Sequence, residues 1–438
     1  MKKILAFLTR QILAKYKPRV IGITGSVGKT STKEAVYATL APYFRVRRNI
    51  KNYNNEIGLP LTIIGAESGG RSILKWLAAV IKGFAVWIFP SKYPEILILE
   101  MGADHPGDLK YLTDLAKPDI GIVTAVASVH TEFFGTVEKV AEEKSILIKA
   151  LPKDGVAILN FDDGHVRAMR EKAECRVMTY GFEETADVKA IDSALHFHPF
   201  DSENEDRGGD AERPQSHAER GGINFKLTPG GSAVPIFLAD VLGRGQVYAA
   251  LAAATTGLAL GLNLIQVSDA LRNFKSPPGR MNILPGIKNT TIIDDTYNAS
   301  PVSVAMALEV FRSIPKEEGR KFYAVLGDML ELGSESGQMH REIGWKAADV
   351  GVDILIVCGN LAKDTALGAI EGGIPESQVF HFSDAKSAGK FLQERIKRGD
   401  IILIKGSQGA RMEKIVKEVM AEPQKAGELL VRQDGGWE

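Results

Sequence analysis

At 438 residues the chain exceeds one ordinary domain and has room for two or three, each large enough to bury its own core. Its 54 Lys and Arg balance 54 Asp and Glu, so the overall charge points to no nucleic-acid partner, and any phosphate binding must be built locally. Two cysteines, Cys175 and Cys358, rule out a disulfide framework or a zinc cluster and fit core positions in a reducing cytoplasm. The chain starts basic and apolar, but Arg10 and Gln11 interrupt the run and no small-residue cleavage site follows. Residues 1–18 therefore predict a basic amphipathic helix ending before Pro18 rather than a signal peptide.

The next segment, "VIGITGSVGKTSTKE", is an apolar strand that runs into a glycine-rich turn and then a helix. In a phosphate loop the glycines let backbone N–H groups close around phosphate oxygens, the lysine neutralises charge and the following hydroxyl serves Mg²⁺. Gly25, Ser26, Gly28, Lys29, Thr30 and Ser31 supply those parts. The strict pattern asks for glycine six places before the lysine, where this chain has Ile23. Residues 72–89 are apolar but carry Lys75, Lys82 and Gly83, so they predict a helix packed on the protein or a partner, or lying in a membrane plane, rather than a span.

"EILILE", "DIGIVTAV" and "GVAILNFDD" are near-continuous apolar runs, the kind buried on both faces of a mostly parallel sheet. Ligands of such sheets sit beyond the carboxyl ends of strands. Glu100 ends one of these runs and His130 follows another. Taken singly, the first reads equally as a helix cap and the second as a structural histidine, but beside a phosphate loop both become metal candidates. Lys144, in "VAEEKS", reads by itself as an exposed helix lysine in a charged run.

Residues 196–222 lose apolar character and predict a mobile surface loop. The paired prolines of "FKSPPGRMN" bar a continuing helix and mark a boundary near residue 276. Beyond it "TTIIDD", "KFYAVLGDM", "DILIVCGN" and "DIILIKGS" repeat the strand-and-helix alternation. The expected architecture is α/β: a central phosphate-loop domain with a mostly parallel sheet over residues 19–276, then a smaller Rossmann-like α/β domain over 277–422. A polar, fraying tail is expected over 423–438.

Taken in order, "GITGSVGKTSTKE", "NYNNEIGLP", "LEMGA", "SVHTEFFGTVEKVAEEKS", "PPGR", "IDDTYNASP", "LGDMLELG" and "IKGSQGARME" resemble the Mur ligases. That resemblance implies an amide-forming ligase in which ATP phosphorylates a carboxylate and an incoming amine attacks the acyl phosphate. It also implies Mg²⁺, a muramyl-peptide-like acceptor and an amine such as D-alanyl-D-alanine, hence a role in peptidoglycan synthesis in the cytoplasm. By the same resemblance Lys29 cradles the β/γ-phosphates, Thr30 and Glu100 serve one Mg²⁺, and His130 serves a second, supported by Lys144 as a carbamate. Asn55 lies in the second motif beside the nucleotide. Arg280 reaches the phosphates as the second domain swings over the first, Asp295 contacts the ribose, and Tyr297 and Asn298 lie beside the nucleotide. Arg280 alone also reads as a hinge salt bridge, and Asp328, Glu331 and His340 receive no catalytic step.

Three departures from the family stand out. Only some eighteen residues precede the phosphate strand, where relatives carry a front domain that recognises the UDP-sugar. Ala249 stands where relatives place an asparagine against adenine, with Gln246 keeping an amide nearby. The apolar segment 72–89 has the character of an insertion, which together with residues 1–18 suggests docking to a partner or a membrane surface. The competing readings are a Mur-like ligase acting on another carboxylate, a nucleotide-binding scaffold that has lost ligation, and an unrelated phosphate-loop hydrolase.

Overall fold

The computed structural model describes residues 1–50, 53–127, 131–197 and 221–433 of the chain. It divides into two compact units, one of residues 1–192, 225–236 and 247–274, the other of 193–224, 237–246 and 275–438. The predicted loop falls largely outside the described residues.

A nine-stranded sheet contains Arg19–Thr24 (β1), Val46–Arg48 (β2), Ile96–Glu100 (β3), Ile120–Val123 (β4), Val156–Asn160 (β5), Arg176–Gly181 (β6), Val188–His196 (β7), Gly222–Pro229 (β8) and Val234–Ala239 (β9). Their spatial order is β2-β3-β1-β4-β5-β6-β7-β8-β9, and every pairing from β2 to β7 is parallel. β3 and β4 are buried along their whole length, as their unbroken apolar character requires when both faces are covered. Because β1 lies between β3 and β4 with Ile23 opposite Glu100 and Thr24 opposite Val123, the three strands end together. The loops that follow them share one sheet edge.

Four helices of this unit matter below: Lys2–Tyr16 (α1), Lys29–Leu40 (α2), Gly58–Ile64 (α3) and Ile73–Ile88 (α4). α1 ends before Pro18, with Lys17 in the left-handed region at φ 46°. Its Leu5, Leu8 and Ile12 are fully buried in the core that also holds β3 and α3. The predicted helix in 72–89 forms as α4, capped by the Ser72 hydroxyl. No helix among the described residues is long and apolar enough to cross a membrane.

The other unit is built on a six-stranded sheet of Asn282–Gly286 (β10), Thr290–Asp295 (β11), Phe322–Gly327 (β12), Ile354–Cys358 (β13), Val379–Phe382 (β14) and Ile401–Lys405 (β15). The order is β10-β11-β15-β12-β13-β14, parallel except for the antiparallel β10–β11 pair. Residues 423–433 do not fray as expected. Ala426 and Leu430 are buried in the same core as Ile402 and Val416, because their spacing places both on one face of a helical turn, a pattern hidden by the polar residues around them. Cys358 is buried and burial pushes its thiol up to about 11, whereas Cys175 is only half-buried.

Candidate active site

The first group of candidates gathers at the carboxyl ends of β1, β3 and β4. Gly25 sits at φ 143°, and a Cβ there would stand 2.1 Å from Thr124 Oγ1. Gly28, at φ 86°, turns the chain into α2 and occupies its N-cap with no side-chain cap. The helix N-terminus therefore keeps its backbone donors for an anion. Gly22 does not belong to this loop: it lies within β1, where a Cβ would come within 2.8 Å of Leu147 Cδ1. The missing glycine at position 23 thus leaves the turn itself intact.

Ser26 ties the loop to the chain after β4, its backbone N–H donating to Ala125 O at 2.7 Å and its hydroxyl to Ala127 O at 3.2 Å. Lys29 Nζ folds back onto the loop, donating to Gly25 O at 2.7 Å and Ser26 O at 3.4 Å. In the next turn the buried Thr30 hydroxyl donates to Glu100 Oε2 at 3.2 Å. Ser31 is also buried there.

Sequence reasoning missed the frame that holds Glu100. Its backbone N–H donates to Asn49 Oδ1 at 2.6 Å, and Asn54 Nδ2 donates to its Oε1 at 3.2 Å. The buried ammonium of Lys33 lies 3.6 Å from Oε2. Lys33 follows Lys29 by one helical turn, a spacing that was available as a signal. Asn55 acts on the backbone instead, where its Oδ1 accepts from the N–H groups of Ile57 and Gly58 and starts α3.

Lys144 overturns the reading of an exposed lysine. It lies in the helix Val137–Lys149, is 2% exposed, and donates to Ala103 O at 3.1 Å. Burial, aided by the charge of Lys29, lowers its ammonium to about 7, against the opposing pull of Asp104, Glu143 and Asp108. A buried amine that is about half neutral at pH 7 has the reactivity toward CO₂ that a carbamate requires. The Thr30–Glu100 pair offers oxygen donors suited to a hard divalent cation such as Mg²⁺. Among the described residues no cluster of three His, Cys, Asp or Glu side chains forms a metal site, and His130 lies outside them.

The second group belongs to the other unit. The Arg280 guanidinium lies over the Tyr297 ring, 4.0 Å from its centroid, and its buried Nε has no hydrogen-bond partner among the described residues. Its backbone carbonyl accepts from Gln246 Nε2 at 2.9 Å and Ser276 Oγ at 2.7 Å. No salt bridge of Arg280 is seen among the described residues. Asp295 Oδ2 accepts from the buried Lys405 Nζ at 2.5 Å, and Lys405 also donates to Asn298 O at 2.9 Å. Burial lowers the Lys405 ammonium, and Asp295 opposes that shift. Asn298 Oδ1 accepts from Gln408 N at 3.3 Å.

Arg432, which sequence reasoning left in the tail, donates to Thr296 O, to Tyr297 O and to Glu413 Oε2. Ala249 is fully buried within the helix Arg244–Ala259. His340 is equally buried: Met329 N–H donates to its Nε2 at 3.0 Å, and its Nδ1 lies 2.8 Å from Ser336 O. It fixes the turn after β12.

The model of the Mur ligase middle domain matches residues 88–257, and that of the Mur ligase glutamate ligase domain matches 279–408. The UDP-N-acetylmuramoyl-tripeptide–D-alanyl-D-alanine ligase of Mycobacterium tuberculosis is 32% identical, over 92% of this chain and 73% of its own length. The chain belongs to the Mur ligase family. It is an ATP-dependent carboxylate–amine ligase of the Mur type, with the α/β architecture expected of one. The enzyme of the same name from Bacillus subtilis is 29% identical, over 95% of this chain and 79% of its own. Among solved structures, the MurF ligase of Thermotoga maritima in complex with ADP aligns with a TM-score of 0.76 at 28% identity, covering 97% of this chain and 84% of that one.

Proposed function

We propose that this Mur ligase joins D-alanyl-D-alanine, or a closely similar amine, to the peptide carboxylate of a UDP-muramyl-tripeptide-like acceptor, using ATP and Mg²⁺. The relatives that bear this name support the reading, as does the convergence of Lys29, Thr30, Glu100 and Lys144 at one sheet edge. Thr30 and Glu100 would hold Mg²⁺, which would supply charge neutralisation for the phosphoryl group. Gly25, Ser26, Gly28 and Ser31 shape the loop around the phosphates, and Lys29 adds a positive charge that must leave its own loop carbonyls to meet them.

Lys144, as a carbamate, would turn from cation to anion and with His130 support a second metal. Arg280 is assigned to the phosphates, where its unpartnered Nε suits developing charge. Asp295, Tyr297 and Asn298 are assigned to the nucleoside, and Asn55 to holding the turn that carries Asn54. The reaction needs orientation and neutralisation more than a covalent nucleophile, which agrees with a site rich in lysine and hydroxyl groups. The acceptor is presented by a partner or at a membrane surface, to which the protein docks through residues 1–18 and 72–89.

The test is incubation of the protein with UDP-MurNAc-tripeptide, D-alanyl-D-alanine, ATP and Mg²⁺. The expected result is ADP and phosphate released in step with a product heavier by the dipeptide. ADP release with another carboxylate and none with this acceptor would assign different substrates. No ADP release with any acceptor would leave a nucleotide-binding scaffold.

A further inference from the structure

α4 has two apolar faces. One packs inward: Ala79 and Gly83 are buried, and a Cβ at Gly83 would stand 2.7 Å from Leu8 Cδ1 of α1. The other face carries Leu74, Leu77, Ile81, Phe84 and Ile88, spaced three and four apart along one stripe, with Leu74 78% and Ile88 60% exposed. The stripe does not end at the helix edge. Phe84 lies 6.1 Å from Trp87, and Trp87 lies 5.6 Å edge-on from Phe7, a half-exposed residue of α1. Lys15 Nζ donates to the carbonyls of Trp87 and Phe89, at 2.7 and 2.8 Å, so the two helices are fastened as one surface.

Charge identifies what covers it. Residues 1–19 and 68–94 together carry ten lysines and arginines and no aspartate or glutamate, which leaves 44 lysines and arginines against 54 aspartates and glutamates in the rest of the chain. A second copy of this face would set like charge against like charge. An anionic lipid surface meets both features, the apolar stripe entering the headgroup boundary and the basic residues facing lipid phosphates. At 16 residues α4 is about 24 Å long, short of the roughly 30 Å hydrocarbon layer, and its inner face is already engaged. The helix can therefore lie in the interface plane but not cross.

We infer that the α1–α4 face docks this ligase on membranes rich in anionic lipid. The inference deepens the acceptor-presentation reading above but is tested without catalysis. The full chain is sedimented with vesicles of phosphatidylcholine alone and of phosphatidylcholine mixed with phosphatidylglycerol, at low and high salt. The expected result is binding to the mixed vesicles, weakened by salt, with little binding to neutral ones. Leu77→Glu with Ile81→Glu should lower the bound fraction at least about ten-fold, since both side chains are exposed, while the melting temperature stays at its starting value.

A protein that stays in solution with anionic vesicles overturns the proposal. Equal binding by the Leu77→Glu, Ile81→Glu variant does the same. So does a concentration-dependent dimer in sedimentation velocity that the same variant abolishes, with no vesicle binding, because that assigns the face to a second copy. Failure of the ligation assay leaves this measurement unaffected, so the two readings fail separately.

Discussion

At the scale of single residues, Lys144 shows how far position outweighs residue type. An ordinary lysine would be charged throughout the physiological range, but burial lowers this one to about 7. Because the folded-state value lies below the unfolded one, the neutral amine gains ground as pH rises through 7, and folding stability rises over the same span up to the ordinary lysine range. With ¹³C-bicarbonate, a carbamate resonance should therefore grow between about pH 6.5 and 8 and be missing from Lys144→Ala. That variant should lose ADP release and regain part of it with a short-chain carboxylate, whereas Lys29→Ala should lose it without rescue.

Asp294 runs the opposite way: burial pushes its carboxyl up to about 6, and Oδ2 has no hydrogen-bond partner among the described residues. A raised acid favours the folded state below its unfolded value and loses that contribution as pH rises from about 4 to about 6. Asp294→Asn should therefore stabilise the protein at pH 7.5 by on the order of 2–3 kcal/mol, with the gain vanishing toward pH 4 in thermal unfolding. The sequence offered no hint of either shift, since both depend on what the fold packs around the side chain.

Among elements, the legible ones are those whose pattern is self-sufficient. β1, β3, β4 and β5 are near-continuous apolar runs, and β3 and β5 end in Glu100 and Asn160, so strand, burial and ligand edge could be read together. β2, with only Val46–Arg48, β8, with mixed polarity, and β9, with Pro235 at its second position, carry no such signal and are defined by their neighbours in the sheet. The Glu100 frame was equally hidden, because Asn49 meets the Glu100 backbone and Asn54 its carboxylate only after β2 and β3 have paired. Helix contacts give a sharper test. Gly83→Ala should lower stability by about 1–3 kcal/mol in denaturant unfolding, because the added methyl must displace Leu8 between α4 and α1. His340→Ala should cost a similar amount, about 1–3 kcal/mol, by leaving the buried Met329 N–H without an acceptor, with no change in the pH profile of ligation.

For the molecule as a whole, the strand-and-helix alternation was enough to give two α/β units, but not that residues 193–224 and 237–246 join the second unit, which the chain enters for the last time at 275. What composition concealed was the fate of the last described residues. They are polar on average, yet Ala426 and Leu430 enter the core and Arg432 reaches the loop after β11. Average polarity reports solvent preference, while burial depends on which few side chains share a face.

That contact has a bearing on how the protein is made. The backbone at Thr296 and Tyr297 receives the Arg432 guanidinium, whose other partner is the buried Glu413 carboxylate, so three segments far apart in the chain must meet before this loop is fixed. During synthesis β11 leaves the ribosome more than a hundred residues ahead of Arg432. A nascent chain can thus form the turn at residues 25–29 early, while the loop after β11 waits for translation to be nearly finished.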